Sequence, residues 1–239
     1  MQSVYKLPIA LATLHRVEEG QLKLDQVVAV QPEDLIAPAG HSPLRDKHPK
    51  GGDFPLEDLL KRAIVDSDGS ASDVLLRVLG GAREVRRYMK QTDIKHIRVQ
   101  HTEAQLLDDT HAQYADSATP DAMVDLLTRL QQGKLLNPEN TARLLGWMKE
   151  TQTGLDRIRA KLPAGTIVAD KTGSSGTHEG LTPATNDVAL VTFPDGRNMA
   201  IAIFISDSKA STAIRTDAIA NIAHEIWNCW ANPLPEGTR

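Results

Sequence analysis

The sequence predicts an α+β fold, and three observations carry that prediction. Apolar residues recur at helical spacing through most of the first two thirds; three segments rich in β-branched residues follow; and the last part returns to helical spacing. Helices, then an antiparallel meander, then a closing helix is a layout in which a helical part and a sheet part can meet at a cleft. The 239 residues suffice to bury a substantial core, and no internal repeat or low-complexity segment divides them, so one domain over residues 1–239 is expected.

The elements follow in order. Val4, Leu7, Leu11 and Leu14 mark a first helix that Gly20 closes, with Pro8 early enough to predict a local kink or a loosened second turn. Residues 31–54 hold several prolines and glycines with little periodicity and read as a surface excursion. A helix runs from about Leu56 to Val65. Between Gly81 and Gln132 come a short helix, a polar stretch from Gln100 to Asp116 that reads as a long loop, and a helix opened by Thr119 and Pro120. Asn137 and Pro138 open another, with Leu144, Leu145 and Met148 facing inward. Residues 166–172, 188–193 and 199–206 are the only three strands expected, the last two joined by the turn Pro194-Asp195-Gly196. Ile219, Ile222, Ile226 and Trp230 predict a final helix that covers one sheet face.

Composition narrows the function. Hydrophobic residues at 41% and charged residues at 24% fit a globular chain that stays in water. A net charge of −4 argues against nucleic acid as partner, since phosphate attraction needs a concentrated positive face. Arg83, Arg86, Arg87 and Lys90 form the one basic cluster, at helical spacing, and read as a solvated face. Cys229 is the single cysteine, so there is no intrachain disulfide. No apolar run approaches the roughly 18–20 residues of a membrane span, and the N-terminus shows no export signal. The eight histidines show no ligand-spaced pair, and Gly173, Gly176 and Gly180 lack the spacing of a phosphate-cradling loop. No metal or cofactor is expected.

Three short motifs carry chemistry. Ser3-Val4-Tyr5-Lys6 sets a hydroxyl and an amine three residues apart, on one helix face and within hydrogen-bond reach, near a helix start that favours developing negative charge. Ser67-Asp68-Gly69, between two helices, can hang a second hydroxyl into a cleft while Asp68 ties down the turn. Lys171-Thr172-Gly173 ends a strand, offering a cation, a hydroxyl and an open backbone edge to an extended carboxylate. Each alone is ordinary: a helix cap beside a solvated lysine, a turn, a strand end. Their conjunction in this order is the signature of penicillin-binding proteins and class A β-lactamases.

The resemblance extends to Met1-Gln2-Ser3-Val4-Tyr5-Lys6, Thr102-Glu103-Ala104-Gln105, Leu162-Pro163-Ala164-Gly165-Thr166, Thr185-Asn186-Asp187 and Asp73, all similar to class A serine β-lactamases and especially to their PER-like extended-spectrum branch. It covers nearly the whole chain. It implies a β-lactamase/transpeptidase-like fold and a monomer that hydrolyses the β-lactam amide bond through an acyl-enzyme on Ser3, conferring resistance to β-lactams. By resemblance, the backbone N–H groups of Ser3 and Ser174 form the oxyanion hole, Lys6 takes the serine proton, and Ser67 passes a proton to the leaving nitrogen. Lys171, Thr172, Gly173 and Ser174 hold the substrate carboxylate, and Glu103 positions the hydrolytic water.

The chain also departs from that pattern. Gly69 stands where an asparagine amide contacts the substrate, and Leu107 where many members place an asparagine beside the deacylating water. In the family a helix and two strands precede the serine helix, whereas Ser3 is almost the first residue here; a mis-set start codon or a shortened sequence is the expectation, leaving one sheet edge and the face under that helix exposed. Location in the periplasm or outside the cell is implied only by the resemblance. Two alternatives stand beside hydrolysis. A D-alanyl-D-alanine peptidase shares two motifs but normally lacks the loop glutamate, and a β-lactam sensor acylates at Ser3 without efficient deacylation.

Overall fold

A computed structural model describes residues 1–109 and 111–231. Residues 232–239, included in the domain expected over 1–239, lie outside the described residues. The chain enters through a 3₁₀ turn over Gln2–Tyr5 that passes into α1 (Lys6–Glu18). Pro8 is the third residue of α1, in the first turn, where no intrahelical N–H donor is required. The irregularity expected at a second turn is therefore a 3₁₀ start upstream of the proline. Every residue from Val4 to Leu14 is buried, so α1 is enclosed rather than amphipathic.

The excursion after α1 carries more structure than its composition suggests. β1 (Val27–Val30) pairs antiparallel with β2 (Gly52–Pro55), and α2 (Pro43–Lys47) lies between them. α3 (Leu56–Val65) occupies the residues expected of it, and Asp68 caps α4 (Gly69–Leu79) by accepting the Ala71 N–H at 2.9 Å. On α5 (Ala82–Gln91), Glu84 pairs with Arg87 at 2.7 Å and Arg86 donates to the Val99 carbonyl at 2.8 Å, so part of the basic cluster is tied down locally.

A two-residue ladder of β3 (Ile97–Arg98) and β4 (Ser117–Ala118) brackets the polar stretch. That stretch is not all loop: it contains α6 (Glu103–Asp108), begun by a capping box between Thr102 and Gln105. α7 (Pro120–Gln131) and α8 (Pro138–Glu150) start at the predicted caps Thr119 and Asn137. Leu144 and Met148 are fully buried, and Leu145 partly so.

β5 (Ile167–Ser174), β6 (Thr182–Thr192) and β7 (Asn198–Ser208) form one antiparallel sheet in the order β5-β6-β7, with Lys171 opposite Val188 and Asn186 opposite Phe204. Among the described residues there are thus seven strands in three sheets, not three strands. The four extra ones are too short, and β2 too rich in Gly, Asp and Pro, to show alternation.

α9 (Thr212–Ala231) packs on the sheet through Ile219, Ala223 and Trp227, and Trp227 stacks on Phe193 at 4.3 Å between ring centroids. The predicted face was rotated, since Ile222 and Trp230 are exposed. The stripe that wins is spaced four and four because it includes a small Ala, which lets the helix sit close. A second, larger core surrounds α1 and draws on α3, α4, α5, α7 and α8. β5 is a sheet edge, and its open side faces the 3₁₀ turn that carries Ser3.

Candidate active site

Between the two cores runs a cleft of about 580 Å³, lined by residues that include Ser3, Lys6, Ser67, Glu103, Thr172 and Ser174. The 3₁₀ turn places Ser3 and Lys6 on one side, and Lys6 Nζ donates to Ser3 Oγ at 2.8 Å. The same amine reaches the Ser67 carbonyl at 3.0 Å and Glu103 Oε2 at 2.9 Å, while Lys6 itself is buried. One ammonium-type donor therefore bridges three of the predicted groups.

Ser67 sits on a strained corner, with φ +56 in the left-handed region that a non-glycine residue seldom adopts. Asp68 holds that corner. Its carboxylate accepts from the Leu44 N–H at 2.6 Å, from Ser42 Oγ at 2.9 Å and from the Ala71 N–H, which aims the serine side chain across the cleft. Ser67 Oγ accepts from Lys171 Nζ at 2.8 Å.

Lys171 is fully buried and is not among the cleft-lining residues; it reaches the site through Ser67. Burial, with the Lys6 charge adding to it, holds its pKa well below the ordinary lysine value. Thr172 Oγ1 lies 2.7 Å from Thr153 Oγ1, and Ser174 Oγ accepts from Arg157 Nη2 at 2.5 Å. Arg157 is buried and also donates to the Asn186 carbonyl at 2.6 Å and the Gly173 carbonyl at 3.3 Å. Gly173 has a steric role. A Cβ there would stand 2.5 Å from the Met1 carbonyl oxygen and 3.2 Å from the Ser3 nitrogen, so only glycine lets β5 come this close to the serine turn.

Glu103 is the first residue of α6, fixed from several directions. Asp73 accepts from the Glu103 N–H at 2.6 Å and the Ala104 N–H at 2.9 Å, clamping the helix start, and Tyr5 Oη donates to Glu103 Oε2 at 2.7 Å. Burial alone would raise the Glu103 pKa, but the Lys6 charge and hydrogen bond, the Tyr5 hydroxyl and Lys171 outweigh it and hold the carboxyl below its ordinary value. Asp73 goes the other way: burial, with Glu103 nearby, pushes it to about 7 in spite of its two N–H partners.

Gly69 falls outside the lining. It starts α4 behind the cleft, where an added Cβ would meet Ile36 Cδ1 at 2.5 Å and Glu103 Cγ at 2.8 Å. The asparagine missing from this position is thus replaced by close packing, not by an empty space. Leu107 does line the cleft, beside Leu106, and makes that wall apolar. Sequence reasoning missed Tyr5, Thr153 and Arg157; none carries a spacing signal, since Arg157 and Thr153 reach the site from the loop between α8 and β5. Among the described residues no group of three His, Cys, Asp or Glu side chains could hold a metal ion, and no helix is long and apolar enough to cross a membrane.

Residues 1–230 match the family described as the β-lactamase enzyme family. The β-lactamase VEB-1 of Pseudomonas aeruginosa is 36% identical over 234 residues, which are 97% of this chain and 78% of that protein. The extended-spectrum β-lactamase PER-1 of the same organism is 36% identical over 229 residues, 95% of this chain and 74% of that one. Among solved structures, a β-lactamase from Chitinophaga pinensis DSM 2588 superposes with a TM-score of 0.94 at 40% identity, covering 97% of this chain and 85% of that chain. The TLA-3 extended-spectrum β-lactamase does so with 0.94 at 35% identity, with the same coverage. A representative class A β-lactamase from Bacteroides cellulosilyticus DSM 14838 gives 0.90 at 32% identity, over 96% of this chain and 83% of that one. The chain therefore belongs to the β-lactamase enzyme family and has its class A fold.

Proposed function

We propose that this chain hydrolyses the amide bond of β-lactams through an ester on Ser3, and so confers resistance to them. The observation that carries this reading is the bridge made by Lys6, whose Nζ contacts both Ser3 Oγ and Glu103 Oε2. A nucleophile and a water-activating carboxylate thereby share one proton-carrying group.

In acylation, the free-amine form of Lys6 takes the proton of Ser3 Oγ as that oxygen adds to the lactam carbonyl carbon, with the backbone N–H groups of Ser3 and Ser174 receiving the oxyanion. The C–N bond then breaks. Ser67 gives its proton to the departing nitrogen and recovers one from Lys6, which returns to the free amine, so the proton taken from Ser3 is the one replaced. Thr172, Ser174 and Arg157 take the substrate carboxylate, while Lys171 acts through Ser67 and adds positive potential under the cradle. Deacylation uses Glu103. It removes a proton from water, the hydroxide adds to the ester carbon, and Ser3 Oγ leaves and recovers that proton through Lys6.

The enzyme works as a monomer, in the periplasm or outside the cell, as the resemblance to class A serine β-lactamases implies. The test is intact-protein mass during reaction with benzylpenicillin. An adduct that forms and clears while substrate is consumed, is absent in Ser3→Ala and persists in Glu103→Gln is the expected result. A persistent adduct on the parent chain would make it a sensor, and hydrolysis surviving Ser3→Ala would refute the nucleophile.

A further inference from the structure

Tyr5 lies between the nucleophile and its lysine in sequence, yet its side chain leaves their side of the turn. It is fully buried, and its hydroxyl ends 2.7 Å from Glu103 Oε2. The proton of that hydroxyl has one destination. The other neighbour, Ser72 Oγ, stands 3.5 Å away and already donates to the Gly69 carbonyl at 2.7 Å, so Tyr5 is the donor and Glu103 the acceptor. Lys6 Nζ falls on the same carboxylate oxygen at 2.9 Å. Both contacts therefore engage Oε2, and Oε1 carries neither.

We propose that Tyr5 is a positioning residue for deacylation: its hydroxyl pins Oε2 of Glu103, fixing the carboxylate so that Oε1 is the oxygen that takes the proton from the hydrolytic water. This rests on the hydrolase reading above. A single contact from Lys6 would leave the carboxylate free to rotate about its last bond as the lysine shuttles protons. A second, non-shuttling donor removes that freedom. Tyr5 is suited to the task because it stays neutral: burial first, then the Glu103 and Asp73 carboxylates, hold its pKa well above the ordinary tyrosine value. The arrangement has a cost for the base, since a donated hydrogen bond stabilises the carboxylate and weakens it as a proton acceptor. Tyr5 thus exchanges some basicity for orientation.

The experiment compares the whole chain with Tyr5→Phe, using rapid-quench mass measurement with benzylpenicillin to obtain acylation and deacylation separately, and steady-state kcat against pH. In Tyr5→Phe, acylation should stay within about twofold while deacylation falls by about tenfold, the worth of one hydrogen bond to an ion. The acid limb of kcat should move to higher pH, because Glu103 loses a donor. A second probe keeps the packing intact: 3-fluorotyrosine placed at residue 5, a more acidic phenol and stronger donor, should move that limb to lower pH. Unchanged deacylation and an unmoved acid limb in Tyr5→Phe would overturn the proposal, as would equal losses in both steps, which mark a structural role. If the parent chain never forms an adduct, the hydrolase reading fails and takes this one with it; a parent that turns over normally isolates the result to Tyr5.

Discussion

Replacing Gly69 with asparagine is the sharpest test of the packing behind the cleft. Family resemblance alone suggests that an amide restored here would improve substrate positioning. The structure predicts the reverse. Any side chain at this position begins with a Cβ 2.5 Å from Ile36 Cδ1, 2.8 Å from Glu103 Cγ and 3.2 Å from the His41 carbonyl oxygen. Ile36 can swing the end of its side chain away. Glu103 cannot, because Lys6 and Tyr5 hold its carboxylate and Asp73 holds its backbone, and the His41 carbonyl already accepts from the Gly69 N–H at 2.9 Å. Overpacking of this kind costs about 1–3 kcal/mol. Loss of glycine's backbone freedom in the unfolded chain returns roughly 0.5–1 kcal/mol. The net loss of about 0–2.5 kcal/mol lowers Tm by up to roughly 10 °C for a chain of this size. With Glu103 tethered, relief of the 2.8 Å contact strains those tethers, and a displacement of the carboxylate of up to about 1 Å costs as much as ~100-fold in rate. Thermal unfolding and single-turnover deacylation should therefore both fall in Gly69→Asn, and Gly69→Ala, which adds only the Cβ, should reproduce most of the effect. A Gly69→Asn chain as stable as the parent and faster in turnover would refute the reasoning.

Other perturbations separate other parts of the site. Arg157→Lys keeps the charge but loses the fork that reaches Ser174, Gly173 and Asn186 together, so KM for carboxylate-bearing penicillins should rise by roughly ten- to a hundredfold with a smaller change in kcat; an unchanged KM would remove Arg157 from the cradle. Asp73 has a folded-state pKa of about 7, raised above its ordinary value, so its contribution to stability is complete below about pH 4 and is lost as pH rises towards 7. Urea unfolding of the parent minus Asp73→Asn should therefore decline across that window, whereas a difference that grows with pH would show that burial does not dominate at this carboxylate. On the closing helix, Trp227→Ala should cost about 3–5 kcal/mol because the ring is stacked in the core, and Trp230→Ala should stay within about 0.5 kcal/mol because that ring is half exposed. The opposite order in thermal melts would return the inward face to the one the sequence suggested.

Sequence reasoning reached the fold class, the long helices and the main strands because those elements carry periodicity or capping residues: Thr119-Pro120 and Asn137-Pro138 open α7 and α8 as written. It missed α6 although Thr102-Glu-Ala-Gln105 is itself a capping box, because the surrounding polarity was read as loop. At the site, Ser3, Lys6, Ser67, Glu103, Thr172 and Ser174 meet in one cleft, and each lies in a recognisable motif except Ser174, which follows Lys171-Thr172-Gly173. Lys171 and Gly69 lay in motifs too, but whether a motif residue touches the cleft or stands one layer behind it is decided by packing, which spacing does not encode. Tyr5 and Arg157 were illegible for a related reason. Their partners are 98 and 16 or more residues away, and only the folded chain brings them together.

The approach of Gly173 to the serine turn sets the reach between nucleophile and carboxylate cradle largely by main chain against main chain, with the Met1 carbonyl oxygen and the Ser3 nitrogen beside it and Gln2 Cβ the one side-chain atom as near. Such a gauge is insensitive to what else lines the cleft, residues 39–41 and the segment around Gly176 and His178 among it. Substitutions there can reshape which acyl side chains are admitted while the reacting distances stay put. A scaffold built this way can broaden its diet without relearning its chemistry.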